Sequence, residues 1–265
     1  MTTYAIGDVR GRFQTLLQLL DKIRFDKVHD TLWFTGNLVN NGPESLAALR
    51  FVKDLGKHAV TIMGNQELRL LGIAEGVIPQ GPEDVFDEIL AAPDRDALLK
   101  WLYQCPLLHH EMNFTMVHAG IPAEWSLSQA QTFAIEAESS LSMGSHKTFF
   151  ENIFADDPTR WHAKHRGWKR LRFIINAFTR MRYCNEIGRL DFSVNGPHEA
   201  PPQGYVPWYR FNDRAMAKQN IIFSHGFTLN EECLPGLFPL DSRDARGDSL
   251  SAMKVCASPE KIRVV

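Results

Sequence analysis

Cysteine, long apolar runs and any strong excess of charge are all in short supply in this 265-residue chain. Four cysteines, Cys105, Cys184, Cys233 and Cys256, lie far apart and form no CxxC pair. They read as reduced thiols rather than a disulfide framework. No apolar run approaches the roughly 18 residues that a membrane helix needs. The opening segment, Met1-Thr2-Thr3-Tyr4-Ala5-Ile6-Gly7, lacks the basic and apolar regions of a signal peptide. A cytoplasmic protein with no membrane partner is expected. The net charge of -2 excludes a wholly basic nucleic-acid binder and an acidic tail protein. Repeats and low-complexity tracts are missing, and no linker forces a boundary. The expectation is therefore one domain over 1–265, with a largely helical insertion around 82–182.

What is present is a rhythm of strands and helices. Thr3–Ile6, Leu32–Thr35 and Ala59–Met63 are short β-branched or aromatic runs. Between them, Phe13, Leu16, Leu17, Leu19, Leu20 and Ile23 form a helical stripe, as do Leu46, Leu49, Val52 and Leu55 after Pro43. A helix starts at Leu68–Ala74, and two short helices split at Ala92-Pro93-Asp94. Phe114–Val117 is a fourth strand, Ser126–Leu141 and Lys147–Phe154 are helical, 195–207 is a loop, and Ile221–Phe223 is a fifth strand. The βαβαβ order predicts a parallel or mixed sheet covered by helices.

Each strand ends on a small residue beside a polar one: Gly7-Asp8, Gly36-Asn37, Gly64-Asn65, His118-Ala119-Gly120 and His225-Gly226. In open α/β sheets, ligands bind outside the carboxyl ends of the strands. Asp, Asn and His delivered there are donors suited to divalent transition metals. A single Gly-Asn is an ordinary turn or cap; five such strand ends in one chain point to a site.

On these residues, and on Thr31–Gly36, Val117–Ile121, Arg170–Phe173, Asn176-Ala177-Phe178-Thr179-Arg180-Met181-Arg182 and Leu240-Asp241, the chain resembles the symmetrical diadenosine tetraphosphate hydrolases, a family of calcineurin-like metallophosphoesterases. The resemblance implies an α/β (α+β) fold with a central β-sandwich of mixed sheets flanked by helices. It also implies two divalent metals and symmetrical cleavage of dinucleoside polyphosphates into nucleoside diphosphates.

The motifs depart from that family's pattern at several positions. Gly-Asp-x-His-Gly becomes Gly7-Asp8-Val9-Arg10-Gly11, which puts arginine where a first-metal ligand stands. The second motif reads Gly36-Asn37-Leu38-Val39-Asn40-Asn41-Gly42, without the bridging carboxylate at Asn37 or the phosphate-binding arginine at Asn41. The third has Gln66 at the catalytic histidine, followed by Glu67, read as a helix N-terminal charge favoured by the dipole. Arginine offers no lone pair and keeps its proton. A guanidinium about 4 Å from a divalent ion is repelled by roughly 8 kcal/mol at an effective dielectric of about 20. Arg10 is expected to bridge to Asp8 in the ion's place. Asn65, His118 and His225 remain as a second-metal remnant, with Asp8 and Asn37 as weak contributors. No cofactor is expected, or at most one weakly bound Zn, Mn, Co or Ni ion, and no catalytic residue is assigned.

Between Arg160 and Arg182 there are eight Lys or Arg and no acid, interleaved with Trp161, Trp168, Phe173 and Phe178. This segment suits a polyphosphate and stacked bases, with Arg10, Arg172, Arg180 and Arg182 as phosphate contacts. Its plainer reading is a solvated face that pairs with carboxylates over a core of Phe173, Ile174, Ile175 and Phe178. The resulting expectation is a catalytically impaired homologue that binds a nucleoside polyphosphate, an RNA 5′ end or a protein partner in a regulatory role. The alternatives are an active or slow phosphoesterase that cleaves diadenosine tetraphosphate with one metal, and a structural interaction module.

Overall fold

A computed structural model describes residues 1–194, 200–225, 234–240 and 249–264. Along the chain, β1 (Thr3–Ile6), α1 (Phe13–Lys22), β2 (Thr31–Phe34), α2 (Ser45–Asp54), β3 (Ala59–Thr61) and α3 (Asn65–Ala74) alternate. Two short helices follow, α4 (Asp87–Leu90) and α5 (Arg95–Leu102). Next come β4 (Leu108–Glu111), β5 (Phe114–Val117), α6 (Leu127–Met143), α7 (His146–Ile153) and α8 (Gly167–Arg180). The remaining strands are β6 (Tyr183–Asn185), β7 (Leu190–Asp191), β8 (Tyr205–Pro207), β9 (Asn220–Phe223), β10 (Leu237–Pro239), β11 (Leu250–Lys254) and β12 (Glu260–Val264).

The chain divides into two compact units, 1–105 with 240–265, and 106–239. In the first, a five-stranded mixed sheet runs β12-β11-β1-β2-β3. Strands β1, β2 and β3 are parallel, with Ile6 opposite Phe34 and Phe34 opposite Thr61. Parallel strands buried on both faces read as continuous apolar runs, and Ala5, Ile6, Leu32, Trp33 and Phe34 are wholly buried. Helix α1 buries Leu16, Leu19 and Leu20. It stops at Lys22, with Ile23, the last residue of its stripe, as C-cap, and the backbone turns left-handed at Arg24, φ 52°. Since β1, β2 and β3 point the same way, their carboxyl ends deliver Asp8, Asn37 and Asn65 to one edge.

The second unit has a four-stranded mixed sheet, β10-β9-β5-β4, and a three-stranded antiparallel sheet, β7-β6-β8. Strands β5 and β9 are parallel, and Ser224 N donates to His118 O at 2.9 Å just past their ends. Helices α6, α7 and α8 pack on one another. Among them Trp125 sits wholly buried, with ring centres of Phe133, Trp161, Phe178 and Phe173 at 4.7, 5.1, 5.5 and 5.9 Å. The loop expected over 195–207 contains β8 at its end; residues 195–199 lie outside the described residues.

Candidate functional site

In unit 1 the cluster begins with backbone strain. Arg10, Asn37, Asn40 and Asn41 all have positive φ, at 52, 50, 73 and 63°. A bulky side chain seldom adopts this conformation, and such strain concentrates at functional sites. Close approach also dictates glycine: a Cβ on Gly64 would collide with Asn37 Oδ1 and its backbone N.

Asp8 and Arg10, 4% and 5% exposed, form a buried ion pair. Arg10 Nε and Nη2 donate to Asp8 Oδ2 at 3.0 and 2.6 Å, and Asn37 Nδ2 donates to the same oxygen at 3.0 Å. That Nδ2 also reaches Asn65 Oδ1 at 3.1 Å, while Asn37 Oδ1 accepts from Gln66 N at 3.0 Å. Every polar atom of the Asn37 side chain is thereby engaged. Gln66 Oε1 accepts from Asn40 Nδ2 at 2.8 Å, which also contacts Asp84 Oδ1 at 3.3 Å. Asp84 in turn accepts from Arg69 Nε and Nη2, both at 2.6 Å, and from Gly81 N at 2.7 Å. The Arg69 guanidinium holds the Asp84 carboxyl below the usual carboxylate range.

Glu67 stands in the first turn of α3, as expected of a helix N-terminal charge, but its carboxylate is not solvated. It is fully buried, and its carboxylate accepts from Asn37 N, Leu38 N and Gly64 N at 2.8, 2.7 and 2.9 Å. It ties the turns after β2 and β3 together: the bond from Gly64 N is the reach of an N3 glutamate back to its N-cap, whereas nothing in the spacing signals those from Asn37 N and Leu38 N.

Unit 2 places His118 after β5 and His225 after β9, with ring centres 5.1 Å apart. His118 is wholly buried, and His225 sits at φ 49°. Gly226 and the segment Asp241-Ser242-Arg243-Asp244, in which the resembled family has small and cysteine residues, lie outside the described residues, as do Cys233 and His198.

The basic segment is where structure and expectation part. Trp161 belongs to the Trp125 cluster and is 8% exposed, so it offers no face to a base. Phe173 and Phe178 are likewise core. Arg172 donates to the carbonyls of Asn152 and Asp157, both at 2.8 Å. Arg180 bonds Asn176 Oδ1 at 3.1 Å, pairs with Asp156 at 2.8 Å and lies over Phe192. Arg170 pairs with Glu136 at 2.7 Å and covers Phe133 and Trp161. These cations hold α8 to its neighbours, as the plainer reading has it. Arg182 is half-buried at the end of α8. Arg10, also expected to grip phosphate, instead faces Asp8. A cleft of about 410 Å³ in the same unit is bordered by Glu124, Glu186, Asp213 and Arg160. With three carboxylates to one guanidinium, that cleft disfavours a polyphosphate.

Polar side chains gathered at the carboxyl ends of parallel strands, on strained turns, belong to an α/β protein whose fold is that of the metallophosphoesterases. The calcineurin-like phosphoesterase family matches residues 1–196, and the chain belongs to it. It is 42% identical over 255 residues to a symmetrical bis(5'-nucleosyl)-tetraphosphatase from Nitrosospira multiformis, covering 96% of this chain and 93% of that one. It is 43% identical over 264 residues to the protein of the same name from Methylococcus capsulatus, covering 100% and 95%. In fold it is similar to a crystal structure of a candidate diadenosine tetraphosphatase, with a TM-score of 0.65 at 19% identity over 99% of this chain and 93% of that one. A yeast protein serine/threonine phosphatase follows at 0.58, at 17% identity, covering 100% and 80%. No helix among the described residues is long and apolar enough to cross a membrane.

Membership corrects the expectation of no cofactor, or at most one weakly bound ion: calcineurin-like metallophosphoesterases are two-metal enzymes, and two divalent ions are the family's standard. The donors of this chain match that standard unevenly. In unit 2, His118 and His225 are neighbouring imidazoles of the type that ligates such ions. In unit 1, Asp8 Oδ2 already takes three donors, Arg10 has no lone pair to give, and Asn37 turns its NH2 toward Asp8. In that arrangement Asp8 Oδ2, Arg10 and Asn37 Nδ2 present no open lone pair to an ion, while Asp8 Oδ1 is buried and accepts no hydrogen bond among the described residues.

Proposed function

We propose that the chain handles dinucleoside tetraphosphates as a phosphoesterase of this family, cleaving them symmetrically into nucleoside diphosphates. The support is identity of 42–43% over nearly the whole chain to proteins named for that activity, together with His118 and His225 at the ends of β5 and β9. A second reading, in which the polyphosphate is recognised and its cleavage is impaired, is favoured by one observation: the three-donor saturation of Asp8 Oδ2. Gln66 agrees with it, because an amide cannot give a proton to a leaving oxygen at neutral pH. In that reading the protein is a regulatory binder of a nucleoside polyphosphate or of an RNA 5′ end carrying the same phosphate chemistry.

One sample decides between them. The purified chain is assayed for ADP release from diadenosine tetraphosphate with added Mn²⁺ or Co²⁺, and titrated with the same dinucleotide in a calorimeter. Turnover abolished by His118→Ala establishes the hydrolase. Tight, salt-sensitive binding without ADP establishes the binder. Neither turnover nor binding overturns both.

A further inference from the structure

One half-buried cation in unit 2 has no counter-charge among the described residues. Arg214 follows Asp213, whose φ of 56° turns the chain ahead of β9. Its Nη1 is buried and, among the described residues, has no hydrogen-bond partner. Arg170 and Arg180 in the same unit are paired with Glu136 and Asp156. Burial pulls the Arg214 guanidinium below its ordinary value, and no carboxylate among the described residues pushes back. A guanidinium keeps its proton, so a desolvated one without an acceptor is costly unless something anionic completes it.

Its place in the fold is specific. The guanidinium lies over Trp208, 5.8 Å from the ring centre. Trp208 presses on Gly120, where a Cβ would come within 2.9 Å of the indole Nε1; glycine at 120 is what admits the ring. Gly120 is two residues past His118. Ala215 N donates to Ala123 O at 2.7 Å, which ties the residue after Arg214 to that same loop. Two independent contacts thus moor the Arg214 segment to the loop that carries His118.

We propose that Arg214 is an anion contact of unit 2, its planar fork holding one phosphoryl group of a nucleoside polyphosphate beside the His118 loop. The nucleotide part rests on the proposed function; the phosphoryl contact does not. Arg214→Met and Arg214→Lys are compared with the parent chain by thermal melting and calorimetry, using sodium pyrophosphate and, separately, diadenosine tetraphosphate. Pyrophosphate is expected to raise the parent's melting temperature. Arg214→Met should melt higher than the parent in anion-free buffer and bind pyrophosphate about tenfold or more weakly, with Arg214→Lys between the two. If the Met variant does not fold, the Lys variant carries the test, because it keeps the charge and loses the fork. Equal pyrophosphate affinity in parent and variants, or no response of the parent to pyrophosphate, overturns the proposal. A response to pyrophosphate that needs Arg214, with none to the dinucleotide, supports it and instead sinks the nucleotide reading.

Discussion

Asn37 is matched to Arg10 through the oxygen they share. With a guanidinium on Asp8 Oδ2, the neighbour at 37 can place an NH2 against the same oxygen and against Asn65 Oδ1. A carboxylate at 37 would put oxygen against both, at about the same 3.0 and 3.1 Å. With Glu67 also buried against Asn37 N, an aspartate at 37 would set three carboxylates around the Arg10 guanidinium among the described residues and add buried negative charge to the pocket. Asn37→Asp, an isosteric change at a residue 1% exposed, is therefore expected to lower stability by about 2–4 kcal/mol. Added Mn²⁺ should return part of the loss by standing between the carboxylates. In the combined variant Arg10→His, Asn37→Asp, Asn41→Arg and Gln66→His, stabilisation by Mn²⁺ should exceed the sum of the single effects, because residues that share one network are not additive. Melting temperatures with and without Mn²⁺ check both statements, and an Asn37→Asp chain that melts with its parent refutes the matching.

At the scale of elements, the aromatic knot around Trp125 shows where sequence reading stops. The strands β1, β2, β3, β5 and β9 were legible because short β-branched runs stop at glycine or histidine, and with them the polar residues that stand at their ends. The Arg10–Asp8 bridge was expected only through the resemblance, which puts an arginine where a metal ligand stands beside Asp8. Helix α8 was harder. Its cations and aromatics recur at a spacing that fits both a ligand face and a packed helix, and only contacts separate the two. The motif Asn176–Arg182 contains two residues with internal duties: Asn176 Nδ2 donates to Ala155 O, and Thr179 Oγ1 to Ile175 O. Arg214 carried no signal because isolation is what sets it apart, and isolation is a property of space. Strands β6, β7, β11 and β12 were not anticipated; β6 and β7 are too short for a period-two pattern, and β11 is buried on both sides. The knot gives its own prediction. Trp125 contacts four rings and keeps a buried indole N–H with no partner among the described residues. Trp125→Ala should cost about 3–5 kcal/mol. Trp125→Phe, which keeps most of the packing and removes that N–H, should cost less than about 1.5 kcal/mol. Urea titration of the two variants tests this, and similar losses would mean that the indole N–H, not the ring, is what matters.

For the whole molecule, the titratable groups fix how stability varies with pH, and their signs differ. Burial lowers the pKa of His109, against the opposing pull of Glu111 at 3.3 Å, and lowers that of His165 with help from His162 and Lys169. The folded chain thus keeps both rings neutral while the unfolded chain takes up protons near 6.5, so stability falls as pH drops below about 6.5. Asp84 acts lower on the scale. Its folded value lies beneath the ordinary one because of Arg69, so its contribution is present above about 4 and disappears as the carboxyl is protonated. Glu138 works the other way: burial raises it despite the Leu107 amide, so it favours the fold increasingly as pH falls toward its own range. The expected urea midpoint is level from about pH 7 to 8, declines gently below about 6.5 and steeply below about 4. A His109→Gln, His165→Gln variant should lose the gentle decline and keep the steep one. Asp84→Asn should soften the steep one and lower the plateau, because Arg69 loses its bidentate partner and Asn40, which holds Gln66, loses an acceptor. If the gentle decline survives both histidine changes, its protons go elsewhere, and these two partly buried rings are not what makes this fold sensitive to mild acid.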